Sequence, residues 1–233
     1  MRLFEVYQNI RKPIVEGGNV FAGTTPFTYD MVADMLSQLN KVIGVKNIPI
    51  GSGASPTKKQ MGDLDVIVDQ DTLAKKYGAE KPAELRKALR AAFDAAGYET
   101  GQSGISVHVK IPMGDHAHQA DIMVVPNAER VAKFHKHDIP AESPYKGKHK
   151  QIALSNLAKQ KNMMWSGFQG LFNRNEAGKK ADFVSDDLDE IAKILIGSGA
   201  SAKDLGSVES MMAALDPQRA AELKQALEDD PNL

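Results

Sequence analysis

The chain has 233 residues, and its 42% hydrophobic and 25% charged residues are ordinary for a protein with a buried core. It contains no cysteine, which excludes disulfide scaffolds, thiolate zinc sites and a cysteine nucleophile. With 29 basic and 30 acidic residues the net charge is −1, which excludes a globally basic nucleic-acid binder but leaves a local basic patch open. The sequence shows neither the ~20-residue apolar run of a membrane helix nor a signal-peptide pattern, so we expect a cytoplasmic protein with no membrane partner.

Apolar periodicity predicts alternating helices and strands in the first 130 residues. A helix is expected over 28–43, with Thr28 as its cap and Gly44 at its end. A second helix, at 82–96, begins with Pro82 and ends before Gly97. Strands are expected at 45–50, 63–68, 106–111 and 119–125, and the last two form an antiparallel hairpin.

Charge is segregated in the second half of the chain. Residues 130–161 carry 8 Lys/Arg against 2 acidic residues, whereas residues 186–233 carry 4 against 11, a balance of −7. This shift predicts a principal domain at 1–182 and a helical acidic appendage at 183–233. We expect the first helix of the appendage to dock on the core near the basic segment through Leu188, Ile191, Ile194 and Leu195. The last stretch, from Asp216, is expected to be a more loosely held helix.

The pentapeptide GSGAS occurs twice, at 51–55 and 197–201. Around the second copy, Gly197 can end a helix in a left-handed conformation. Ser201 can cap the next helix with Asp204 three residues on. No pair of acids follows this copy, so it is an internal control: the pentapeptide alone carries no functional information.

The first copy belongs to the most informative stretch of the sequence. It matches neither a Walker phosphate loop nor a dinucleotide fingerprint, because the required Gly-Lys and third glycine are missing. Ten residues after Gly51-Ser52, Asp63 and Asp65 open a strand and point to one face, while Leu64 points to the other. Two carboxylates on one face favour a hard divalent cation such as Mg²⁺. The alternative is a pair of solvated strand-edge acids.

A third acid, Asp121, interrupts an otherwise apolar predicted strand. Burial of an unpaired carboxylate is costly, and a cation shared with Asp63 and Asp65 would explain its position. The backbone N–H groups of the Gly51 loop are suited to cradling phosphate. His116 and His118 with Asp115 also suggest zinc, but a polar hairpin turn explains these residues better.

The pattern resembles the nucleotidyltransferase superfamily typified by DNA polymerase beta, CCA-adding enzymes, poly(A) polymerases and antibiotic nucleotidyltransferases. The resemblance lies in the order, the spacing and the predicted elements of Gly51-Ser52, Asp63/Asp65 and Asp121. The resemblance covers about residues 28–165; the small size and helical tail are similar to those of phage-encoded members. It implies an α/β (α+β) fold: a small mixed or antiparallel sheet packed against helices, followed by the helical appendage.

The resemblance also implies an enzyme that transfers a nucleoside monophosphate from a triphosphate to a hydroxyl, using two Mg²⁺ or Mn²⁺ ions. Asp63 and Asp65 would hold both metals, and Asp121 would hold one and help to deprotonate the acceptor. Gly51 and Ser52 would hold the β- and γ-phosphates.

Basic residues are further candidates for nucleotide binding. Lys58 and Lys59 would neutralise triphosphate charge, and the basic segment, with Lys148 and Lys150, would hold triphosphate or a nucleic-acid backbone. The alternative for all four lysines is ordinary solvation, and Trp165 is expected in the core rather than stacked on a base.

The acceptor is open between an RNA 3′ end, a small molecule and a protein hydroxyl. A different class of function is a catalytically inactive structural or interaction protein with the same fold. A metal-dependent hydrolase using the same acids is a third alternative.

Overall fold

The structure is a computed structural model that describes residues 20–56, 59–136 and 142–229. Its elements are, in chain order, α1 (Val32–Ile43), β1 (Ile48–Pro49), β2 (Asp63–Asp69), α2 (Gln70–Tyr77), α3 (Pro82–Ala95), β3 (Glu99–Ser103), β4 (Ser106–Met113), β5 (His116–Val125), α4 (Ala128–His135), α5 (Gly147–Gln160), β6 (Met163–Ser166), β7 (Gly170–Arg174), β8 (Lys180–Ser185), α6 (Leu188–Leu195), α7 (Val208–Ala214) and α8 (Pro217–Glu228). Short 3₁₀ turns lie at Tyr29–Met31, Gly51–Ala54 and Ala202–Leu205. Within these ranges, no helix combines the length and apolar character needed to cross a membrane.

The elements predicted in the first half are confirmed, with shifted ends. Helix α1 ends at Gly44, which is left-handed with φ 67° and donates its N–H to Asn40 O. The strand expected at 45–50 is reduced to two residues, Ile48 and Pro49, which pair with Ile67 and Val66 of β2. Helix α2, strand β3 and the strands β6–β8 were not predicted. For α2 a local signal exists, since Asp69 accepts a capping hydrogen bond from Thr72 N (3.0 Å).

A five-stranded mixed sheet forms the first part of the fold, in the order β1-β2-β5-β4-β3. Strands β2 and β5 are parallel and the other pairs are antiparallel, including the predicted β4–β5 hairpin. One face of the sheet is apolar and packs on helices α1 and α3. The opposite face is polar towards the start of β2, and helix α4 packs on its apolar remainder, around Ile67 and Val125. This confirms the predicted α/β class with a small mixed sheet packed against helices.

A second hydrophobic core lies C-terminal to the sheet. It joins helix α5 and the antiparallel sheet β6-β7-β8 to helices α6, α7 and α8. The domain boundary expected after residue 182 falls inside strand β8, which pairs with β7. The acidic helices therefore share one core with α5, the helix of the basic segment, and α6 docks through the predicted Leu188, Ile191 and Leu195.

Helix α4 connects the two cores and is anchored by a buried arginine. Arg130 is 7% exposed, and its Nη1 donates to the Gly167 carbonyl oxygen (2.8 Å). Burial lowers the pKa of Arg130, whereas the negative charge of Asp186 raises it. Asn127, the N-cap of α4, donates from its Nδ2 to Asp186 Oδ2 (3.0 Å). These polar contacts hold the sheet and the helical part together.

The expectation of a loosely held C-terminal helix is wrong. Helix α8 buries Leu223 and Leu227 completely in the second core. Arg219 donates from its two terminal nitrogens to the carbonyl oxygens of Ile196 (2.8 Å) and Leu195 (2.6 Å), at the C-terminal end of α6. Because these carbonyls have no partner within their own helix, Arg219 satisfies them and fixes α8 against α6.

Candidate functional site

The three predicted acids lie on one face of the five-stranded sheet. In the parallel β2–β5 ladder, Asp65 is directly opposite Asp121, and Asp63 is opposite Gln119. Neighbouring strands are about 4.8 Å apart, so the two aspartates in register are next to each other. The intervening Leu64 is fully buried on the opposite face. The ladder thus brings together residues that are 56 positions apart in the sequence.

The Gly51-Ser52 turn lies beside Asp65. Ile50 N donates to the carbonyl oxygen of Asp65 (3.0 Å), and the chain then enters the Gly51–Ala54 turn. Gly51 has φ +57°, and a Cβ built on it would lie 3.7 Å from Asp65 Oδ2. The turn backbone therefore runs close to the carboxylate, in a conformation that favours glycine.

A second glycine in the turn is required by packing. Gly53 is buried, and a Cβ at this position would lie only 2.5 Å from Leu64 Cδ1. The turn and the strand that carries Asp63 and Asp65 are thus in direct contact. This contact ties the position of the turn backbone to that of the acids.

Asp121 is held by two neighbouring side chains. His108 Nδ1 and Gln119 Nε2 both lie 2.8 Å from Asp121 Oδ1, and the Asp121 side chain is 15% exposed. The sequence argument attributed this acid to a cation, but these two partners already offset part of the cost of its burial. Both hydrogen bonds described for the Asp121 side chain end on its Oδ1.

The two partners of Asp121 are themselves fixed. His108, buried on β4, contacts Ser103 Oγ through Nε2 (2.7 Å). Gln119 Oε1 accepts a hydrogen bond from Val20 N (3.0 Å). The Ser103–His108–Asp121 connectivity is also that of serine hydrolases. Here Ser103 lies exposed at the end of a hairpin strand. We therefore interpret the three hydrogen-bonded side chains as a network that holds Asp121 in position.

Sequence reasoning missed His108 and Gln119, although a signal for His108 was present. The hairpin turn at Gly114–Asp115 places residue 108 opposite residue 121 once the strands are paired. His108 also alternates with Val107 and Val109, so it points to the face opposite theirs. A buried histidine opposite a buried aspartate was therefore predictable from the hairpin alone.

The donor set suits a hard cation, but its side chains are not gathered around one point. In the described part of the chain, no group of three or more His, Asp or Glu side chains comes close enough together to hold a metal ion. Asp63, Asp65 and Asp121 nevertheless offer carboxylate oxygens from adjacent strand positions, and such oxygens are the ligands of Mg²⁺. The acids therefore match the ion by ligand type, and the register places them on one face of the sheet, but the described side chains do not converge on a single metal position.

The four candidate lysines are in different environments. Lys58 lies outside the described residues. Lys59 is exposed after the turn, and Lys148 is exposed in the first turn of α5. Lys150 is 2% exposed, and its ammonium donates to Phe134 O (2.5 Å) and lies over the Phe134 ring. A nucleotide would reach Lys150 only if the second core opened.

The second GSGAS copy has a different role from the first. Ser201 and Asp204 form the predicted capping box, with Ser201 N donating to Asp204 Oδ2 (2.8 Å). Gly197 does not adopt the left-handed conformation expected for it, because α6 ends at Ile196 in a right-handed conformation. Trp165 lies in the second core, as expected, and its indole N–H donates to Gln151.

Comparisons with known proteins find similarity among solved structures only. No protein-family profile matches the sequence, and no curated protein is similar to it. A solved structure of a cytoplasmic RNA terminal U-transferase is similar, with 14% identity and a TM-score of 0.32. The similarity covers 58% of this chain and 39% of that one, so the chain spans about two fifths of that protein's length.

Proposed function

We propose that the protein is a divalent-metal-dependent nucleotidyltransferase, which transfers a nucleoside monophosphate from a triphosphate to a hydroxyl group. The observation that carries this proposal is the register of the parallel ladder. It places Asp65 opposite Asp121, with Asp63 on the same face and the Gly51 turn beside Asp65.

Each part of this site has a task in nucleotidyl transfer. Asp63 and Asp65 would hold two Mg²⁺ or Mn²⁺ ions, and Asp121 would hold one of them. When bound, such ions stabilise charge on the attacking and leaving oxygens. Asp121, oriented by His108 and Gln119, accepts the proton of the acceptor hydroxyl.

The Gly51–Ala54 turn would bind the rest of the triphosphate. Backbone N–H groups of such a turn, and the hydroxyl of Ser52, can donate to oxygens of the β- and γ-phosphates. The exposed Lys59 follows the turn and adds positive charge. The acceptor we favour is an RNA 3′ end, because the exposed Lys148 belongs to the basic segment 130–161 and lysines of this kind bind phosphate backbones.

The direct test uses each labelled nucleoside triphosphate with total RNA, in the presence of Mg²⁺ or Mn²⁺. We expect metal-dependent incorporation of label into RNA and release of pyrophosphate. Incorporation that persists in excess chelator, or hydrolysis of the triphosphate without transfer to any acceptor, would contradict the proposal.

A nucleotide-binding protein without turnover is the second candidate. The observation in its favour is that Asp121 Oδ1 already accepts hydrogen bonds from His108 and Gln119. This candidate predicts that triphosphate and metal raise the melting temperature while no label is transferred. The enzyme proposal predicts both a rise in melting temperature and transfer of the label.

The internal repeat provides a matched test of phosphate binding. Ser52→Ala removes a hydroxyl from the turn beside Asp65 and is expected to weaken triphosphate binding by about tenfold, equivalent to one hydrogen bond to a charged group. Ser198→Ala, at the same place in the second GSGAS, should leave the affinity unchanged. Titration calorimetry measures both, and equal losses would show that the turn has no special role.

Loss of the hydrogen bond from His108 to Asp121 should impair catalysis without removing a metal ligand. We expect His108→Ala to reduce metal-dependent transfer by about 10- to 100-fold, as is typical when a partner that orients a metal ligand is lost. The metal concentration for half-maximal thermal stabilisation should rise in parallel. Ser106→Ala, on the same strand, is the control and should change neither quantity. A His108→Ala variant with wild-type metal dependence would show that His108 is only a packing residue.

A further inference from the structure

A second cleft lies away from the aspartate face, where the two parts of the fold meet. Its volume is about 390 Å³, within the range of roughly 300–1,000 Å³ typical of small-molecule sites. The sheet contributes Val124 and Pro126 at the end of β5, and Gln70 follows the end of β2. Along β5, the lining residue Val124 is three residues from Asp121, about 10 Å at 3.3 Å per residue, and its side chain packs in the first core on the opposite face of the sheet. The cleft is therefore separate from the proposed catalytic site.

Aromatic rings form one wall of this cleft. Phe172 on β7 and Phe183 on β8 are cross-strand partners, with ring centroids 5.5 Å apart and an interplanar angle of 70°. Phe168 also lines the cleft. Phe183 is 57% exposed, so much of its ring is accessible from the cleft. It leaves a ring face or edge available to a ligand.

Two cationic side chains line the cleft together with these rings. Lys180 Nζ is 3.7 Å from the centroid of Phe172 and donates to Gln169 Oε1 (2.5 Å). Arg86 on α3 also lines the cleft, and its Nε is buried without a hydrogen-bond partner among the described residues. Desolvation by burial lowers the pKa of Lys180, as expected for an ammonium held against an apolar wall.

The acid that lines the cleft is already engaged. Asp186 accepts a hydrogen bond from Asn127 Nδ2 and interacts with the charge of Arg130. The charged side chains that line the cleft are Arg86, Lys180 and Asp186, so cations outnumber acids and the cleft favours an anion. An aromatic wall beside two cations is complementary to a flat ring that is joined to a negative group.

We infer that this cleft binds a nucleotide unit, with its base against Phe183 and its phosphate between Lys180 and Arg86. Aromatic rings stack on any base, and cations hold the backbone, in proteins that bind single-stranded nucleic acid. The unit has two chemical sources, a free mononucleotide or a segment of single-stranded RNA. The inference does not depend on the proposed catalytic function, since the cleft shares no residue with the aspartate face.

The experiment measures fluorescence anisotropy of a labelled mononucleotide and of a short labelled single-stranded oligoribonucleotide. Chelator is present throughout, so that metal-dependent binding at the aspartate face does not contribute. We expect Phe183→Ala to weaken binding about tenfold or more, the usual effect of losing a stacking ring. Arg86→Gln should weaken binding and also reduce its dependence on salt concentration. The probe that binds more tightly identifies the source of the unit.

Matched variants separate the cleft from general effects. Tyr29→Ala removes an exposed ring elsewhere, and Lys87→Gln removes the exposed cation next to Arg86 in the sequence; both should bind as the wild type does. In the presence of chelator, Asp65→Asn should bind both probes with wild-type affinity. Binding at the cleft can therefore be established even if the catalytic proposal fails. If Phe183→Ala does not fold, Phe183→Leu keeps the apolar volume and still removes the ring.

Two results would overturn the inference. One is wild-type affinity for both probes in the folded Phe183 and Arg86 variants. The other is an equal loss of affinity in Tyr29→Ala and Phe183→Ala. Either would show that the cleft does not recognise a base and a phosphate.

Discussion

Asp65→Asn is expected to abolish nucleotidyl transfer, with a loss of about 10³-fold or more. A metal ion that stabilises transition-state charge contributes several kcal/mol, and each 1.36 kcal/mol is a factor of ten in rate. Asparagine keeps the size of the side chain but removes the negative charge that attracts the ion. Because Asp65 is half-buried rather than part of the core, the melting temperature should change little. Transfer assays and thermal denaturation measure the two effects.

The same substitution at a neighbouring acid is the control. Asp71, exposed on α2, lies outside the site, and Asp71→Asn should transfer at the wild-type rate. Asp63→Asn is expected to behave like Asp65→Asn, since both acids open the same strand on the same face. Near-wild-type transfer by either site variant would remove the basis for the proposed function.

Truncation after Leu215 is expected to destabilise the protein severely, because it removes α8. Full burial of a leucine contributes about 1.5–3 kcal/mol, so loss of Leu223 and Leu227 costs about 3–6 kcal/mol. This is comparable with the total stability of a typical domain, roughly 5–15 kcal/mol. Truncation also exposes apolar surface of the second core. We expect a large decrease in melting temperature and aggregation, measured by thermal denaturation and light scattering.

Point variants distinguish packing from length. Leu227→Ala should cost about 2–5 kcal/mol through the cavity it leaves. Lys224→Ala, exposed on the same helix, should be nearly neutral. A 1–215 fragment as heat-stable as the full chain would show that α8 contributes nothing to the second core.

Local patterns in the sequence determined much of the first half of the fold. Alternation of apolar residues around Asp63 and Asp65 identified β2, and periodicity with terminal glycine identified α1 and α3. These patterns succeed because the backbone period of a strand or helix directly sets which residues meet the core. In the second half, strands β6–β8 are short and only partly buried, so they show little alternation to detect.

The placement of the acids is a case where local pattern and tertiary structure contribute differently. The sequence by itself determined that Asp63 and Asp65 share a face and that Asp121 interrupts an apolar strand. Only the tertiary structure decided that β2 and β5 are parallel neighbours with Asp65 opposite Asp121. Strand order and register depend on contacts between segments far apart in the chain, which a periodic pattern within one segment does not encode.

The difference between local pattern and tertiary contact also explains why the exposure of some charged residues was not predicted correctly from the sequence. Composition correctly separated a basic from an acidic segment, but charge alone suggested that Lys150 faces solvent, as lysine usually does. The structure buries Lys150 because the Phe134 carbonyl and ring partner its ammonium. The acidic helices likewise pack into the second core through their apolar side chains. Residue type sets a tendency to be exposed. A hydrogen-bonding partner from a distant element decides whether the free-energy cost of burying a charged group is offset.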